Sequence, residues 1–484
     1  MQAEDLFKKV TAHAKEYGFV FQSSEIYDGL SAVYDYGQNG VELKNNLREY
    51  WWKSMVQMHE NIVGIDAAIF MHPKVWKASG HVDGFSDPMI DNKDSKKRYR
   101  ADQLLEDQIE RLRNKGRDEK ASQLEVAMNA ALNDNNLETL RNLIIEQEIA
   151  CPVSGTRNWT EVRQFNLMFS TSMGSVADDA SEVYLRPETA QGIFVNFLNV
   201  QKTGRMKIPF GIAQVGKAFR NEIIARQFIM RMREFEQMEM QFFVKPGTEL
   251  EWFEQWKEKR LNWHYALGFG SDKYRFHVHE KLAHYANAAV DIEYKFPFGF
   301  KEVEGIHSRT DFDLKQHQEF SGKKLQYFDP ETNSSYTPYV IETSIGLDRL
   351  FLLTLMSSYK EESIQSGDKT EIRTVLALPA QLAPIKAAIL PLTKKDGLPE
   401  KARSITDKLK PNFTCHYEEK DTIGKRYRRH DAIGTPFCIT VDHESLSDNT
   451  VTIRHRDSMQ QERVSVDSLE DILRKSVSMA SLLS

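Results

Sequence analysis

The chain has 484 residues, of which 40% are hydrophobic and 28% are charged, and its formal net charge is −6. This length predicts about two to four domains with an ample core, and no apolar run approaches the ~20 residues that span a bilayer. Three cysteines provide no disulfide framework and the N-terminus has no apolar signal core, so we expect a cytoplasmic protein rather than a secreted or membrane protein.

The first two thirds of the chain mix helical and strand-like patterns. A helix and a Gly-rich turn at Tyr34–Gly40 precede a long helix over 41–58 and a strand over 62–70. Residues 91–150 are polar, with apolar residues at helical spacing, which predicts a helical insertion. From 183 to 350 there is no regular βαβ repeat, so we expect an antiparallel-rich α+β domain.

The last third of the chain predicts a separate small domain. Residues 357–370 are polar and charged and predict a linker. The segments after it alternate between strand and helix patterns, which favours an α/β domain. The predicted elements are strands at 373–378, 437–441 and 451–454 and helices at 382–389 and 398–409.

A phosphate-binding loop is the first motif to consider. Gly211–Lys217 matches GxxxxGK, but Ala218 stands where the motif needs a Ser or Thr hydroxyl for Mg²⁺. The residues that follow alternate like a strand instead of opening a helix. We therefore do not expect a P-loop.

Residues 210–244 contain two strand-like runs around a charged loop. Alternate residues of a strand share a face, so Arg220 and Glu222 point the same way. A face that combines a cation, carboxylates and an aromatic ring suits a nucleotide phosphate, an adenine ring and an ammonium group. A solvated charged hairpin is the alternative for the segment taken alone. On the returning run, one face carries Phe235, Gln237, Glu239 and Gln241, and the other carries Met238, Met240 and Phe242.

Ile341–Arg349 predicts a strand that ends near Ser344, a turn at Gly346 and a helix with Arg349 in its first turn. Arg349 would add its charge to the positive end of the helix dipole, a natural position for facing a polyphosphate. The alternative is a Gly-capped helix start with a solvated arginine.

Together the two segments resemble the second and third signature motifs of class II aminoacyl-tRNA synthetases, with the Phe-Arg-x-Glu and Gly-x-x-Arg cores in the expected order. Other segments narrow the resemblance to glycyl-tRNA synthetases of the single-chain, homodimeric type, over about residues 5–475. These segments are Tyr34–Gly37, Gly40–Asn46, His72–Trp76, Ser79–Phe85, Arg163–Phe169, Leu185–Gly192, Arg233–Glu239 and Arg309–Leu314.

The resemblance implies an α+β fold, in which a class II antiparallel sheet is flanked by helices. It implies a catalytic domain of residues 1–90 and 151–360, a mainly helical insertion at 91–150 and a C-terminal α/β anticodon-binding domain at 370–484. The helix over 41–58 and the strand after it take the place of the first class II motif, at the interface of a homodimer.

The resemblance also implies a two-step reaction with ATP and Mg²⁺. Glycine and ATP give glycyl-adenylate and pyrophosphate, and the glycyl group then passes to the 3′ end of tRNA(Gly). Arg220 is expected at the α-phosphate and Arg349 at the γ-phosphate, with Glu302 and Glu342 as candidate Mg²⁺ ligands. The implied ATP-binding residues are Arg220, Asn221, Glu222, Met230, Arg231, Met232, Arg233, Glu234, Phe235, Glu302, Val303, Gly346, Leu347, Asp348 and Arg349.

Glycine has no side chain to grip, so its selection must come from excluding anything larger. Glu188, Glu239 and Glu342 are expected around its ammonium group, and Ser344 beside its α-carbon. Clustered carboxylates repel one another, so the empty pocket should raise some of their pKa values. The implied glycine-binding residues are Arg100, Glu188, Phe235, Glu236, Gln237, Met238, Glu239, Glu342, Thr343, Ser344, Ile345 and Gly346.

The insertion departs from many relatives, which carry two Cys-x-x-Cys pairs around it. Residues 91–96 hold no cysteine and Cys151–Ser154 holds one, so we expect no zinc. Arg98 competes with Arg100 for the place near glycine. Three histidines further on lack supporting ligands and are expected to be scattered polar residues: His277, His279 and His284.

The C-terminal domain is expected to contact tRNA. Thr422–Asp431 and Arg454–Ser458 supply basic residues and a tyrosine, which suit stacking on bases and neutralisation of phosphates. The alternative is a solvated helix and strand end.

Two other functions compete with glycine ligation. A class II ligase for another small amino acid is disfavoured by Leu185–Gly192 and Arg233–Glu239. A catalytically inactive, nucleic-acid-binding accessory protein should have lost Arg220, Glu222 or Arg349, and all three are present.

Overall fold

The structure is a computed structural model that describes residues 3–174, 182–223, 227–279, 282–283, 285–366 and 369–483. Its α-helices are α1 (Ala3–Glu16), α2 (Gln38–Trp52), α3 (Pro73–Ala78), α4 (His81–Gly84), α5 (Ala101–Asn114), α6 (Asp118–Asn133), α7 (Leu137–Glu146), α8 (Ala190–Val195), α9 (Phe197–Thr203), α10 (Glu249–Ala266), α11 (Phe312–Ser321), α12 (Leu347–Ser358), α13 (Leu398–Leu409), α14 (Ile423–Ile433), α15 (Glu444–Ser447), α16 (Leu469–Val477) and α17 (Ala480–Leu483).

The strands follow the same chain order. They are β1 (Val20–Gln22), β2 (Tyr34–Tyr36), β3 (Ile62–Gly64), β4 (Ser86–Asp91), β5 (Arg98–Arg100), β6 (Arg163–Asn166), β7 (Ser170–Ser172), β8 (Glu182–Tyr184), β9 (Phe210–Phe219), β10 (Glu234–Val244), β11 (Tyr274–Val278), β12 (Ala288–Phe296), β13 (Gly299–Thr310), β14 (Tyr327–Asp329), β15 (Ser334–Tyr336), β16 (Tyr339–Gly346), β17 (Tyr359–Ser366), β18 (Lys369–Leu376), β19 (Ala387–Pro391), β20 (Cys415–Tyr417), β21 (Phe437–Val441), β22 (Thr450–His455) and β23 (Gln461–Ser465).

The chain divides into two compact units. The first comprises Met1–Ala68, Glu188–Ala218 and Gln227–Ser484, and the second comprises Ile69–Pro187 and Phe219–Arg226. Among the described residues, no helix is both long and apolar enough to cross a membrane.

A seven-stranded sheet forms the centre of the first unit, in the order β11-β12-β13-β16-β10-β9-β3. The strands from β11 to β10 pair antiparallel, and β3 joins β9 in parallel. Met238, Phe242 and Ile345 on one face are buried in a core that includes Trp256 of α10 and Leu350 of α12. This confirms the predicted antiparallel sheet flanked by helices.

The strand, turn and helix predicted at 341–349 are confirmed. β16 ends at Gly346 and α12 begins at Leu347. The long helix predicted over 41–58 is also present, as α2 and a following π-helical turn at Lys53–Gln57. The strand predicted over 62–70 is too long, because β3 pairs with β9 only from Ile62 to Gly64.

The linker predicted at 357–370 is wrong. α12 continues to Ser358, and the polar residues after it form β17, which pairs antiparallel with β18. The reason is a long-range contact: the guanidinium of Arg373, which is fully buried, donates to Glu362 across the ribbon at 2.6 Å and to Asp431 of α14 at 2.8 Å.

The C-terminal part of the first unit is a five-stranded sheet in the order β20-β19-β21-β22-β23 with helices packed on it. β19 pairs in parallel with both neighbours, and its five residues are all buried. The helix predicted at 382–389 is therefore wrong throughout: residues 382–386 form a turn and bends, and 387–389 belong to β19. A strand covered on both faces reads as a continuous apolar run, which periodicity alone does not separate from a buried helix.

The second unit contains the insertion. Helices α5, α6 and α7 pack on one another, and α5 packs on a three-stranded antiparallel sheet in the order β5-β4-β6. The core of this unit includes Ile90, Leu124, Ile144 and Trp159. The apolar residues at helical spacing in the sequence are buried in the same core: Leu104, Leu105, Ile109 and Leu112. The helical period detected in the sequence is thus the buried stripe of these helices.

Candidate functional site

The polar face predicted for β10 is present. It continues onto the adjacent strand β16, which pairs with β10 in the same sheet. Glu239 pairs in register with Ser344, and Gln241 pairs with Glu342. Because directly paired residues of antiparallel strands point to the same side, these side chains share one surface. Gln237 lies on that surface as well and donates to the Ser344 hydroxyl at 3.2 Å.

Glu239 and Glu342 are held together by Gln241. The Gln241 amide nitrogen lies 2.7 Å from Oε1 of Glu239 and 2.7 Å from Oε2 of Glu342. The Thr189 hydroxyl donates to the second oxygen of Glu239. All three members of this bridge are buried, so two carboxylates sit next to one another out of water.

Arg309 and His307 approach Glu342 rather than Glu239. Arg309 donates to Oε2 of Glu342 at 3.0 Å, and Nδ1 of His307 lies 2.8 Å from Oε1. Arg309 also forms two hydrogen bonds with Asp313, at 2.8 and 3.0 Å. Of the two central carboxylates, Glu342 is therefore the one with Arg309 and His307 among its described hydrogen-bond partners.

This asymmetry separates the two pKa values. Burial and the charges of Glu342 and Glu188 raise the pKa of Glu239 well above its usual range. Burial also opposes ionisation of Glu342, but Arg309 and the hydrogen bond from His307 outweigh it and lower the pKa of Glu342 to about 2. The predicted rise from clustered carboxylates thus falls on Glu239.

The opposite face of β10 carries a different charge cluster. Glu236 forms two hydrogen bonds of 2.6 Å with Arg48, and Lys44 lies 3.2 Å from Glu236 and 2.8 Å from Asp348. Asp348 also accepts from the Tyr36 hydroxyl and from the backbone N–H of Glu236. Every carboxylate oxygen here has a partner, and the cluster is buried against α2.

Several residues in the predicted lists have side chains on this opposite face or in the core. Neither Glu236 nor Asp348 points toward Glu239, because alternate strand residues face opposite ways and α2 supplies their partners. Contact between these residues and a ligand on the Glu239 face would have to use backbone atoms. The apolar members of the group are Met230, Met232, Met238, Val303, Ile345 and Leu347, and buried Thr343 pairs in register with Met240.

Arg349 lies at the start of α12, as predicted. Its guanidinium is 3.0 Å from the Glu302 carboxylate and donates to the Glu302 carbonyl at 3.1 Å and to the Met230 carbonyl at 3.4 Å. Gly346 lies beside the aliphatic part of Arg349. The side chain of Glu302 is about half exposed, in contrast to buried Glu342, so Glu302 is the more accessible of the two candidate Mg²⁺ ligands.

The remaining predicted residues of the first unit lie near the start of β10. Arg233 donates to the Ser31 carbonyl at 3.1 Å, and Glu234 pairs with Lys217. Arg231 is exposed, and Phe235 is partly buried against the central core.

The predicted residues Arg220, Asn221 and Glu222 belong to the second unit. The Arg220 guanidinium donates to the Pro187 carbonyl at 3.0 Å and lies 5.4 Å from the ring centre of Phe85. The Asn221 N–H donates to the Leu167 carbonyl at 2.7 Å, and the Glu222 N–H donates to the Arg220 carbonyl at the same distance.

Arg98 and Arg100 also lie in the second unit, in different surroundings. Arg98 is exposed and pairs with Asp91 at 2.7 Å, whereas Arg100 is partly buried and pairs with Asp102 at 2.5 Å and Asp87 at 3.2 Å. Of the two candidates, Arg100 is the more enclosed and forms ion pairs with two carboxylates.

Polar side chains surround Cys151 and the segment 91–96, the region where the resemblance led us to look for zinc-binding cysteines. Oδ1 of Asn92, which is fully buried, accepts from the Ser95 N–H at 2.9 Å and from the Ser154 hydroxyl at 3.0 Å. The Cys151 sulfur contacts the hydroxyls of Ser95 and Tyr99 at 3.3 Å. Burial opposes ionisation of Cys151, but these and the Ser154 contacts lower the pKa of its thiol to about 6.

One histidine expectation is wrong. His279 lies with Asp291 and His307 in a group whose potential ligand atoms are all within 4.8 Å of one another. The sequence could not reveal this, because only the pairing of β11, β12 and β13 brings the three residues together. His284 lies outside the described residues.

Arg309, His307 and Thr189 were not assigned to the site from the sequence. Arg309 and Thr189 lie within segments that carry the family resemblance, Arg309–Leu314 and Leu185–Gly192. Membership of these segments was the only signal in the sequence for Arg309 and for Thr189. Nothing local distinguishes His307, whose contact with Glu342 spans 35 positions.

Basic residues of the C-terminal part are largely used inside the domain. Arg426 is buried and donates to the Pro391 and Glu418 carbonyls, Arg454 binds Asp431 and Arg456 donates to the Gly434 carbonyl. Among the described basic residues of the predicted tRNA segments, Lys425 is exposed, and Arg428 and Arg429 are partly exposed.

The fold and these motifs agree with comparisons to known protein families. Residues 169–359 match the tRNA synthetase class II core domain of the G, H, P, S and T enzymes, and residues 386–476 match an anticodon binding domain. Residues 87–123 and 116–167 match glycyl-tRNA synthetase insertion domain 1. The class of protein is therefore a class II aminoacyl-tRNA synthetase.

Full-length relatives define the family more narrowly. The glycine–tRNA ligase of Chlorobaculum tepidum is 55% identical over 468 residues, covering 96% of this chain and 98% of that protein. Those of Acetivibrio thermocellus and Staphylococcus haemolyticus are each 51% identical and cover 97% of this chain and 98% of their own length. The chain belongs to the glycine–tRNA ligase family.

Proposed function

We propose that this chain ligates glycine to the 3′ end of tRNA(Gly) with ATP, in two steps. A glycine carboxylate oxygen attacks the α-phosphorus of ATP, forming a phosphorus–oxygen bond as pyrophosphate leaves. A ribose hydroxyl of the tRNA then attacks the glycyl carbonyl, and AMP leaves. The carboxylate is already ionised, so the first step needs no protein base, and positioning and electrostatics supply the rate enhancement.

The observation that carries this proposal is the pair of buried carboxylates bridged by Gln241. Glu239 carries a carboxylate whose ionised form lacks a directly bonded cation in its described contacts. A substrate ammonium would supply that charge. Ser344 pairs with Glu239 in register, so its side chain would crowd the α-carbon of an amino acid whose ammonium is held by Glu239.

For ATP we propose a set that combines the family resemblance with the described geometry. Arg349 would bind the γ-phosphate, because it lies at the positive end of α12. Phe235 would stack on adenine, Arg220 would bind the α-phosphate and Glu222 would accept from the adenine amino group. The other predicted ATP-binding residues would contribute backbone atoms or shape the site.

Mg²⁺ would accompany ATP, with Glu302 as its protein ligand. Mg²⁺ usually retains several waters and takes one or two carboxylates together with substrate phosphates. Glu302 is accessible, whereas Glu342 is already held by Arg309, His307 and Gln241. The insertion region is proposed to hold no structural zinc of the cysteine type, since Asn92 and its serine partners complete a hydrogen-bonded centre.

We further propose a cytoplasmic homodimer of the single-chain type that reads tRNA with its C-terminal domain. The resemblance supports the dimer, with the segment from α2 to β3 at the interface. On the C-terminal domain, the accessible basic candidates in Thr422–Asp431 are Lys425, Arg428 and Arg429. Sedimentation would measure the oligomeric state, and a monomer at assay concentration would contradict it.

Amino-acid-dependent ATP–pyrophosphate exchange tests the function, with glycine, alanine and serine compared in parallel. We expect exchange with glycine alone. A preference for alanine or serine would contradict the glycine assignment, and no exchange with any of them would favour an accessory protein. Arg220→Ala should slow exchange severely in a folded protein, and near-normal exchange would refute its α-phosphate role.

A further inference from the structure

A second polar cluster lies on the central sheet, built from three adjacent strands. His279 directly follows β11, Asp291 is on β12 and His307 is on β13. Nε2 of His279 lies 2.9 Å from Oδ2 of Asp291, and the ligand atoms of all three residues are within 4.8 Å of one another. The side chains are partly buried rather than freely solvated.

The His279 nitrogen is the first sign that this cluster is built for a ligand. Its Nε2 is buried and has no hydrogen-bond partner in the part of the chain that the structure describes. The Oδ2 atom of Asp291 lies 2.9 Å away, at ion-pair distance. A buried nitrogen in this state costs free energy, and a metal ion that accepts lone pairs from both groups would remove the cost.

The orientation of His307 is the second sign. Its Nδ1 faces Oε1 of Glu342 at 2.8 Å, so Nε2 is the nitrogen left for the cluster. Metal-binding histidines commonly use one ring nitrogen as ligand and donate the other N–H to a carboxylate, which fixes the ring and strengthens the ligand. Glu342 provides that outer carboxylate.

The third sign is the open volume beside Gly305, between Asp291 and His307. It pairs in register with Asp291 across β12 and β13. A Cβ added at Gly305 would lie 3.1 Å from Cε1 of His307, 3.4 Å from its Nε2 and 3.6 Å from Oδ1 of Asp291. The absence of a side chain therefore keeps the volume between two of the candidate ligands open.

We propose that His279, Asp291 and His307 form a binding site for a divalent first-row transition metal ion, of the Zn²⁺ class. Two imidazoles and a carboxylate suit Zn²⁺ and its neighbours better than Mg²⁺ or Ca²⁺, which prefer oxygen ligands. Three protein ligands leave at least one coordination position for water or substrate. This site revises the expectation of no zinc, which rested on the missing cysteines and on histidines that were expected to lack supporting ligands.

The site is joined to the carboxylate pocket through His307 and Glu342. Metal bound at Nε2 of His307 would hold its Nδ1–H as a fixed donor to Glu342, the carboxylate that Gln241 bridges to Glu239. This connection to glycine rests on the proposed function, whereas metal binding does not. Binding is therefore measured without glycine, ATP or tRNA.

The test uses the full chain stripped of metal with a chelator and dialysed. Zn²⁺ is titrated in competition with a chromophoric chelator, and Co²⁺ is titrated separately to observe its d–d absorption. We expect one tight site per chain. His307→Ala should weaken Zn²⁺ by more than about 100-fold, since losing an outer-shell partner alone typically costs 10–100-fold.

Gly305→Ala provides a second variant that keeps all three ligands. It should weaken Zn²⁺ and change the Co²⁺ spectrum, because the added methyl group intrudes between His307 and Asp291. Circular dichroism and the melting temperature of each variant check that the fold is retained.

His416→Ala is the matched control. His416, Glu418 and His430 form another candidate cluster, but Glu418 is already paired with Arg429, and that cation disfavours a metal. Retention of the tight site in His416→Ala supports the proposal. Unchanged affinity in both His307→Ala and Gly305→Ala, loss in His416→Ala alone, or no tight site in the wild type would overturn it.

Discussion

The two faces of β10 differ in how their buried carboxylates are compensated. On one face, Glu236 and Asp348 share Lys44, Arg48 and the Tyr36 hydroxyl, so each negative charge has a directly bonded donor. On the other, Glu239 and Glu342 share an amide, and the cationic groups favour Glu342. Buried charge by itself therefore does not mark a binding site. A binding site is indicated instead by a buried carboxylate that a ligand, rather than a bonded protein cation, would neutralise.

Removing Lys44, which pairs with Glu236 and Asp348, should have the largest effect on stability. In Lys44→Met, Glu236 and Asp348 remain buried while both lose an ammonium partner. We expect the free energy of unfolding to fall by about 3–5 kcal/mol, the usual cost of breaking a buried ion pair from one side. Denaturant titration would measure this change.

Lys53→Met is the matched control for Lys44→Met. Lys53 pairs with Glu49 in a partly exposed i,i+4 contact, which should contribute no more than about 0.5 kcal/mol. Equal stabilities for the two variants would show that the Lys44 cluster is not the structural element argued here.

Glu239→Gln tests the other face of β10, on which Glu239 has no directly bonded cation among its described contacts. Losing the carboxylate should lower kcat/KM for glycine in pyrophosphate exchange by about 100- to 1,000-fold, corresponding to about 3–4 kcal/mol. Stability should not fall at pH 8 and should rise slightly, because burial and neighbouring carboxylates disfavour the ionised form that the substitution removes. Exchange kinetics and thermal unfolding measure the two effects.

Glu236→Gln on the same strand should show the reverse pattern. Its loss leaves Lys44 and Arg48 less well neutralised, so stability should fall more than glycine affinity. If Glu236→Gln weakened glycine as strongly as Glu239→Gln, the distinction between the two faces would be wrong.

The pH dependence of glycine binding should report the same asymmetry. The pKa of Glu239 is raised by burial, Glu342 and Glu188, and is opposed by Thr189 and Arg309. Below that pKa the empty pocket carries a proton on Glu239 that must leave before an ammonium binds. The glycine KM should therefore fall as pH rises, by about tenfold per unit at the steepest point.

The Michaelis constant for ATP provides the internal control, since ATP is proposed to bind other groups. Glu239→Gln should abolish most of the pH effect on the glycine KM. A glycine KM that stays constant between about pH 5 and 8 in the wild type would contradict a raised pKa for Glu239.

Local pattern was enough to predict one part of this site. Period-two alternation gave the β10 face with Glu239 and Gln241, and the strand–Gly–helix pattern gave Arg349. These features depend on neighbours within a few residues, which a sequence displays directly.

Long-range partners account for what the sequence could not provide. The role of Glu236 depends on Lys44 and Arg48, about 190 positions earlier. The split between the Glu239 and Glu342 pKa values depends on Arg309 and His307 from another strand. A long-range partner also explains β17. Its polar residues predicted a linker, but the strand pairs with β18, whose buried Arg373 donates to Glu362.

The smallest expected effect concerns a charge pair at the exposed start of β10. Lys217 and Glu234 form an ion pair, but Lys217 is more than half exposed and Glu234 about one third exposed. Solvent screens such pairs, so Lys217→Ala should change the free energy of unfolding by less than about 1 kcal/mol. Parallel denaturant titrations of Lys217→Ala and Lys44→Met compare lysine–glutamate pairs that involve the same strand at two depths. A loss in Lys217→Ala as large as that in Lys44→Met would mean that the presence of a pair, rather than its burial, determines its contribution, and the contrast between the faces of β10 would lose its physical basis.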